Sequence, residues 1–268
     1  MIRRISAGGL AMVVLLTLAP LVFMVFVSLK GNADFLTDVW GAPSPARWDH
    51  YARAFVALRP YLWNTFLVCA VVVPGVVWMA SLAAYALTRL RFPGRERIAG
   101  AILALLMVPS ILTLIPTYAV VKSLGLVDTR WALVLPYLAG GQVLGVALGR
   151  TFFAGIDEEL FEAMRLDGAD DFAMYRHLAL PLSLPTLATI AMMTTLGIYN
   201  DYIWPLVAVG DNALQTVSVG VTRFSGEFNT EYGPTLAGYV VASLPLVVLF
   251  ALGMRAFVRG VAAGATKG

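Results

Sequence analysis

The charged residues of this chain collect in short clusters, and between the clusters lie long runs with no charge at all. A chain folding in water interleaves charges every few residues so that each element keeps a wet face. Six uncharged windows occur here, at 10–29, 61–88, 98–121, 131–149, 178–200 and 232–254. Each has about the 20 helical residues needed to bridge a hydrocarbon core of about 30 Å. Only 13% of the 268 residues are charged and 59% are hydrophobic, against about 25% charged in a soluble domain. The expected fold is therefore all-α and integral to the membrane. It is one transmembrane domain, 1–268, with six helices spanning about 10–29, 61–88, 98–121, 131–149, 182–207 and 233–256, the fifth running past Asp201 to Val207.

Met1-Ile2-Arg3-Arg4 ahead of the first window could open a secretory leader. The apolar run that follows outlasts the roughly 7–15 residues of a leader core, so it reads as the first span. Pro74, Pro109, Pro116, Pro136, Pro205 and Pro245 fall in or beside the windows. Neighbouring helices in a bilayer can satisfy the carbonyls that proline frees, which predicts kinked spans, not broken ones. With a cytoplasmic N-terminus, 12 of the 19 Lys and Arg fall on the inner side, four of them in the short loop 89–97. That bias predicts both termini inside. Outer segments 30–60 and 210–232 are then the surfaces open to an external partner.

The formal charge of +3 forms no basic stripe with interleaved aromatics, which argues against nucleic acid as a partner. Cys69 is the one cysteine, so no intrachain disulfide exists. His50 and His177 are isolated, which argues against a metal site.

Segment 155–181, an inner loop in this topology, holds seven of the sixteen acidic residues. Ile156, Leu160, Ala163 and Met164 recur with helical spacing, and Glu158, Glu162 and Arg165 share a different face, which predicts a short amphipathic helix. Gly168 supplies a stop, Asp170 or Asp171 a cap for a second helix through Phe172, Tyr175 and Leu178, and Pro181 the start of the fifth span. The result is a helix-glycine-helix elbow across the cytoplasmic mouth. Such an elbow suits a groove on another protein, or lies as an amphipathic loop on the lipid surface.

Glu162-Ala163-Met164, three residues, Gly168, nine residues, and Leu178-Ala179-Leu180-Pro181 closely resemble the EAA signature of permease subunits of ABC importers, E-A-A-x3-G-x9-I-x-L-P. Met164 replaces the second alanine, Leu178 the isoleucine, and Asp157 stands where relatives often have proline. The resemblance covers nearly the whole chain. Asn64-Thr65, Ala84-Tyr85-Ala86 with Arg89 and Phe92-Pro93-Gly94, Leu124-Gly125-Leu126 with Asp128-Thr129, 200–206 and the glycine-rich ending 260–268 look like the carbohydrate-type permeases, the maltose and glycerol phosphate group.

That resemblance implies a type I ABC importer architecture in a bacterial or archaeal cytoplasmic membrane. The implied partners are a second homologous permease, two copies of an ABC ATPase and an extracytoplasmic solute-binding protein. This chain would hold no cofactor, with ATP and Mg bound in the ATPase. The elbow would be the coupling helix, with Glu158, Glu162, Ala163, Asp167, Gly168, Leu178 and Pro181 as its signature positions. Glu162 would contact the ATPase by charge and Gly168 would allow the turn. The tail 264–268 resembles tails that approach the same ATPase surface, although a frayed terminus has the same composition.

Asp201 follows a long uncharged run, and a carboxylate inside a span is a functional candidate by default. Facing the pore, Asn200 and Asp201 could hydrogen-bond sugar hydroxyls beside Tyr199 and Trp204. The alternative is that Asp201 pairs within the bundle and Trp204 joins an aromatic belt. Gly140, Gly141, Gly145 and Gly149 could let the fourth span pack closely on a neighbour. The chain has no G-x-x-x-x-G-K-[ST] loop, no H-E-x-x-H and no G-x-S-x-G, so nothing in it points to an enzyme. A competing class, the ion-coupled secondary transporter, would rely on Asp201 as its relay.

Overall fold

The computed structural model describes the backbone of residues 2–228 and 231–265, and side chains at residue 9, over 12–228 and over 231–254. Every described element is helical. The tail expected to approach an ATPase lies partly outside the described residues, at 266–268.

Helix α1 spans Ile2–Ser28 and a short α2 Asn32–Thr37. Helix α3, Asp49–Arg89, runs through Pro74 for 41 residues, or roughly 60 Å at the usual rise. It starts well before the apolar window at 61, so it outreaches a bilayer. Helices α4, Arg95–Ala104, and α5, Ser110–Ser123, follow. Next come α6, Trp131–Ala154, α7, Glu158–Leu166, and α8, Asp171–Met174, which passes through a π turn, Tyr175–Ala179, into α9, Leu180–Asn200. The chain ends with α10, Ile203–Ala208, α11, Val217–Glu227, and α12, Tyr232–Ala265.

Four stretches are long and apolar enough to cross a membrane: Asp49–Arg89, Trp131–Ala154, Asp171–Asn200 and Tyr232–Met254. Their most apolar windows are only 28%, 33%, 39% and 28% buried within the chain. Apolar surface on that scale is stable against lipid or other subunits, not against water.

Two expectations are corrected. The third window is broken: Arg95–Met107 and Ser110–Ser123 meet at 107°. Pro109 removes a donor and clashes with the preceding turn, and the residue before a proline is pushed out of the α region. Val108 accordingly takes φ −83° and ψ 116°. The fifth helix stops at Asn200, and Asp201 is extended at φ −74°, ψ 116°. Pro205 cannot donate to the Asp201 carbonyl and would collide with it, so the helix restarts as α10. Pro116, Pro136, Pro185 and Pro245 do lie inside continuous helices.

Contacts gather into two units. One comprises Met1–Trp63 with Val217–Pro245. It is organised by the buried Lys30, whose ammonium donates to the Asp38 and Val39 carbonyls at 2.7 and 2.9 Å and lies over the Phe26 ring. His50 Nδ1 meets the Ser28 carbonyl at 2.9 Å, so this histidine is structural. A Cβ at Gly233 would sit 2.3 Å from the Lys30 carbonyl oxygen and run into the His50 ring.

The second unit comprises Asn64–Thr216 with Leu246–Gly268. Its core gathers Val68, Val72 and Val76 of α3, Leu133 of α6, Ile190 of α9 and Trp204 of α10. Helix α6 lies close on α3 because Gly141, Gly145 and Gly149 face Val76, Ala80 and Ala84, each pair four residues on from the last. An added Cβ at any of the three would come within 2.7 Å of that neighbour. Gly140, grouped with them in the sequence, has open space beside it.

Candidate functional site

Helix α6 ends at Gly155, and Asp157 opens α7 in an extended conformation with no side-chain cap. At its other end Gly168 takes φ 83°, the left-handed conformation that costs a residue with Cβ free energy. The Ala169 amide bonds the Met164 carbonyl and the Gly168 amide that of Arg165, which together reverse the chain. Asp170 then caps the next helix by accepting from the Ala173 amide at 2.7 Å. No break separates that helix from α9. The π turn at 175–179 absorbs Pro181, which has no amide hydrogen, and residues 171–200 form one rod.

The elbow is held from beneath by Arg89, the last residue of α3. Its Nε donates to the Phe153 carbonyl at 3.1 Å. Its terminal nitrogens reach the Phe153 and Ile156 carbonyls and the Glu158 carboxylate. The guanidinium also lies 4.2 Å from the Phe161 ring centroid. One cation thus closes the C-terminus of α6, where helix carbonyls lack partners, and fixes the start of α7. Around it Tyr85 donates to the Asp171 carbonyl at 3.1 Å, and Ser81 and Tyr175 share a hydrogen bond at 3.0 Å.

These contacts decide which face of α7 looks outward. Phe161 is buried against Tyr85, Phe153, Met174 and Tyr175, with Met164 and Ile156 beside it. Leu160 and Ala163, grouped with Ile156 and Met164 by helical spacing, are exposed. Helix α7 starts at Glu158, so Ile156 is out of helical phase and the face is set by Phe161 and Met164. The outer surface carries Glu159, Leu160, Glu162, Ala163, Leu166, Asp167 and Gly168, with Leu166 89% exposed.

Glu158 is turned toward its own chain, paired with Arg89 and, at 3.0 Å, with Arg165. Leu178 is half-buried in the cluster under the elbow, and Pro181 is exposed on the rod. Of the signature positions, the structure therefore brings Glu162, Ala163, Asp167 and Gly168 together on one exposed surface. Arg89 and Phe161, which hold that surface in place, had no role assigned from sequence, because their partners lie far away in the chain.

The residues expected to face a pore occupy the break between α9 and α10. One Asp201 oxygen accepts from the Trp204 amide at 3.2 Å, the other from the Tyr137 hydroxyl at 3.1 Å. Asp201 is thus paired within the bundle, the alternative open at the level of sequence. Trp204 is 7% exposed, and its indole N–H donates to the Ala132 carbonyl at 3.0 Å, so its ring is core and not a free platform. Tyr199 is half-buried and Asn200 exposed. A groove of about 230 Å³ runs between α6 and α9 beside Tyr137, Gly140, Thr194 and Gly197. Neither Tyr199, Asn200, Asp201 nor Trp204 lines it. Among the described residues no group of His, Cys, Asp and Glu could hold a metal ion.

Several helices long and apolar enough to cross a membrane, with an exposed acidic elbow between two of them, define a polytopic membrane protein. The chain belongs to the family of inner membrane components of binding-protein-dependent transport systems, whose family model matches residues 76–263. It is 33% identical over 250 residues, 93% of its length and 83% of the relative's, to the Bacillus subtilis protein named "Probable ABC transporter permease protein YurM". It is 30% identical to the trehalose/maltose transport system permease protein MalG of Thermococcus litoralis, over 97% of its own length and 95% of that chain. The crystal structure of a bacterial ABC transporter involved in the import of the acidic polysaccharide alginate shares its fold, with a TM-score of 0.76 over 96% of both chains at 21% identity. Membership makes the chain a permease subunit of an ABC importer, without enzymatic activity of its own.

Proposed function

We propose that this chain forms half of the pore of a carbohydrate importer in a bacterial or archaeal cytoplasmic membrane, as a single six-span domain with both termini cytoplasmic. It pairs with a second homologous permease, receives solute from an extracytoplasmic binding protein and is driven by two ABC ATPase subunits that bind ATP and Mg. The observation that carries this reading is the outward face of α7, acidic and apolar at once. Exposed Leu160 and Leu166 beside Glu159, Glu162 and Asp167 suit a groove with an apolar floor and a basic rim. The rod 171–200 continues from the elbow into the bundle, so rigid-body motion of a docked ATPase is carried into α9.

The trehalose/maltose relative supports a sugar as solute. The six windows hold no Lys or Arg, which favours a neutral sugar over a phosphate ester. The ion-coupled alternative is disfavoured because Asp201 accepts hydrogen bonds from Tyr137 and from the start of α10. Native mass spectrometry of the complex extracted with its neighbours tests the proposal. Two ATPase copies and a second permease are expected. A lone chain that transports in liposomes without ATP would refute it.

A further inference from the structure

Segment 90–94 joins α3 to α4 and turns at Gly94, whose φ is 84°. Four arginines lie within or beside it, and the structure divides them. Arg89 is committed to the elbow. Arg95 donates to the Thr88 and Leu90 carbonyls at 3.4 and 3.1 Å and pairs with Glu96 at 2.9 Å. Glu96 also receives Arg150 at 3.4 Å, so the local acid is taken twice over. Arg91 and Arg97 are exposed, and among the described residues neither has an acidic partner or a side-chain hydrogen bond.

Both line a recess of about 680 Å³ with Phe92, Pro93, Gly94, Arg95 and Glu96. Three cations against one anion leave this lining positive. Its surroundings are apolar: Phe92 is 38% exposed, and Ile98 and Leu105, two turns apart on α4 and its continuation, are 48% and 55% exposed. Phosphate-sized negative charge above and hydrocarbon below is the chemistry of a phospholipid at the membrane surface. An acidic protein partner would match the arginines and leave the apolar flank uncovered.

We propose that this recess is a binding site for an anionic phospholipid, with Arg91 and Arg97 on the phosphate and the acyl chains along the face of Ile98 and Leu105. The inference rests on the membrane reading of the chain and is independent of which solute is carried. Guanidinium pairs bind phosphate oxygens in planar, charge-assisted geometry, and Arg holds its charge at any physiological pH. Each basic residue near an anionic leaflet adds to the attraction, so losing two reduces lipid preference by about tenfold or more.

The test uses the whole purified complex in nanodiscs of phosphatidylcholine containing phosphatidylglycerol, with retained lipid counted by native mass spectrometry and subunit content by gel. Arg91→Gln/Arg97→Gln is expected to lose the excess of phosphatidylglycerol by about tenfold while every subunit stays present. Arg91→Lys/Arg97→Lys should keep most of the excess, and a charge-matched control, Lys122→Gln/Arg223→Gln, should keep all of it. Unchanged retention in the double glutamine variant overturns the proposal. So does loss of a protein subunit with lipid retention unchanged, since the arginines would then face an acidic protein surface. A wild-type chain that co-purifies with no partner would refute the importer reading while leaving the lipid count measurable.

Discussion

Replacing Arg89 by methionine removes one cation and leaves several groups short. The side chain is only 10% exposed, so water cannot take over its bonds to the Phe153 and Ile156 carbonyls. The Ile156 carbonyl is stranded at about 1–3 kcal/mol, and the Phe153 carbonyl, which keeps the Ile156 amide at 3.3 Å, loses about 1 kcal/mol. The lost contact with the Phe161 ring adds about 0.5–1 kcal/mol. Glu158, half exposed and still paired with Arg165, contributes little. The attachment of α7 to the ends of α3 and α6 should therefore weaken by roughly 3–4 kcal/mol. Amides protected by that attachment exchange through its local opening, and each 1.4 kcal/mol is about tenfold. Hydrogen exchange of peptides covering 158–168, measured on the complex in nanodiscs, should accelerate by at least about a hundredfold. Peptides of 182–198 should change little. ATP hydrolysis should persist while solute uptake falls, because the elbow still docks and moves α9 but no longer carries the ends of α3 and α6 with it. Exchange in 158–168 within about threefold of wild type, or an equal acceleration everywhere, would refute the keystone role of Arg89.

Gly145→Val places a branched side chain where a Cβ alone would lie 2.7 Å from Ala80. Overpacking of this kind costs about 1–3 kcal/mol, so lower yield and melting temperature of the solubilised complex are expected, with Gly140→Ala, which faces open space, near wild type. At Gly168, φ 83° with nothing nearby makes the penalty one of backbone alone. Asparagine there should retain most uptake and valine little, and equal uptake by both would contradict the turn's role. Asp201→Asn keeps an acceptor oxygen for the Trp204 amide and places an NH2 that can donate to the Tyr137 hydroxyl oxygen, so it should transport nearly normally, whereas Asp201→Ala loses both bonds, about 1–3 kcal/mol, and should lower stability. Abolished uptake in Asp201→Asn with a stable complex would revive the ion-coupled mechanism. Glu162→Lys reverses charge at the centre of the exposed elbow surface and should leave the chain in the membrane with uptake reduced by at least about tenfold. Normal uptake would remove Glu162 from the docking surface.

The sequence by itself determined the solvent. Uncharged windows as long as a bilayer is thick leave no other medium, and the glycine at 168 with an acid at 170 marks a turn and a cap through local chemistry alone. Tertiary structure decided what those segments do where local preferences conflict or partners are distant. Whether a proline kinks or breaks a span depends on what neighbouring helices offer the freed carbonyls, so the same residue type ends one helix at Pro109 and passes unbroken at Pro136. The partner of Asp201 is Tyr137, 64 residues away, and that of Glu158 is Arg89, 69 residues away. Those pairings tie Asp201 to α6 and Glu158 to the end of α3, contacts that no local pattern shows. Helical periodicity shows that a residue has a face, but which face is buried depends on side chains that chain folding alone brings near it.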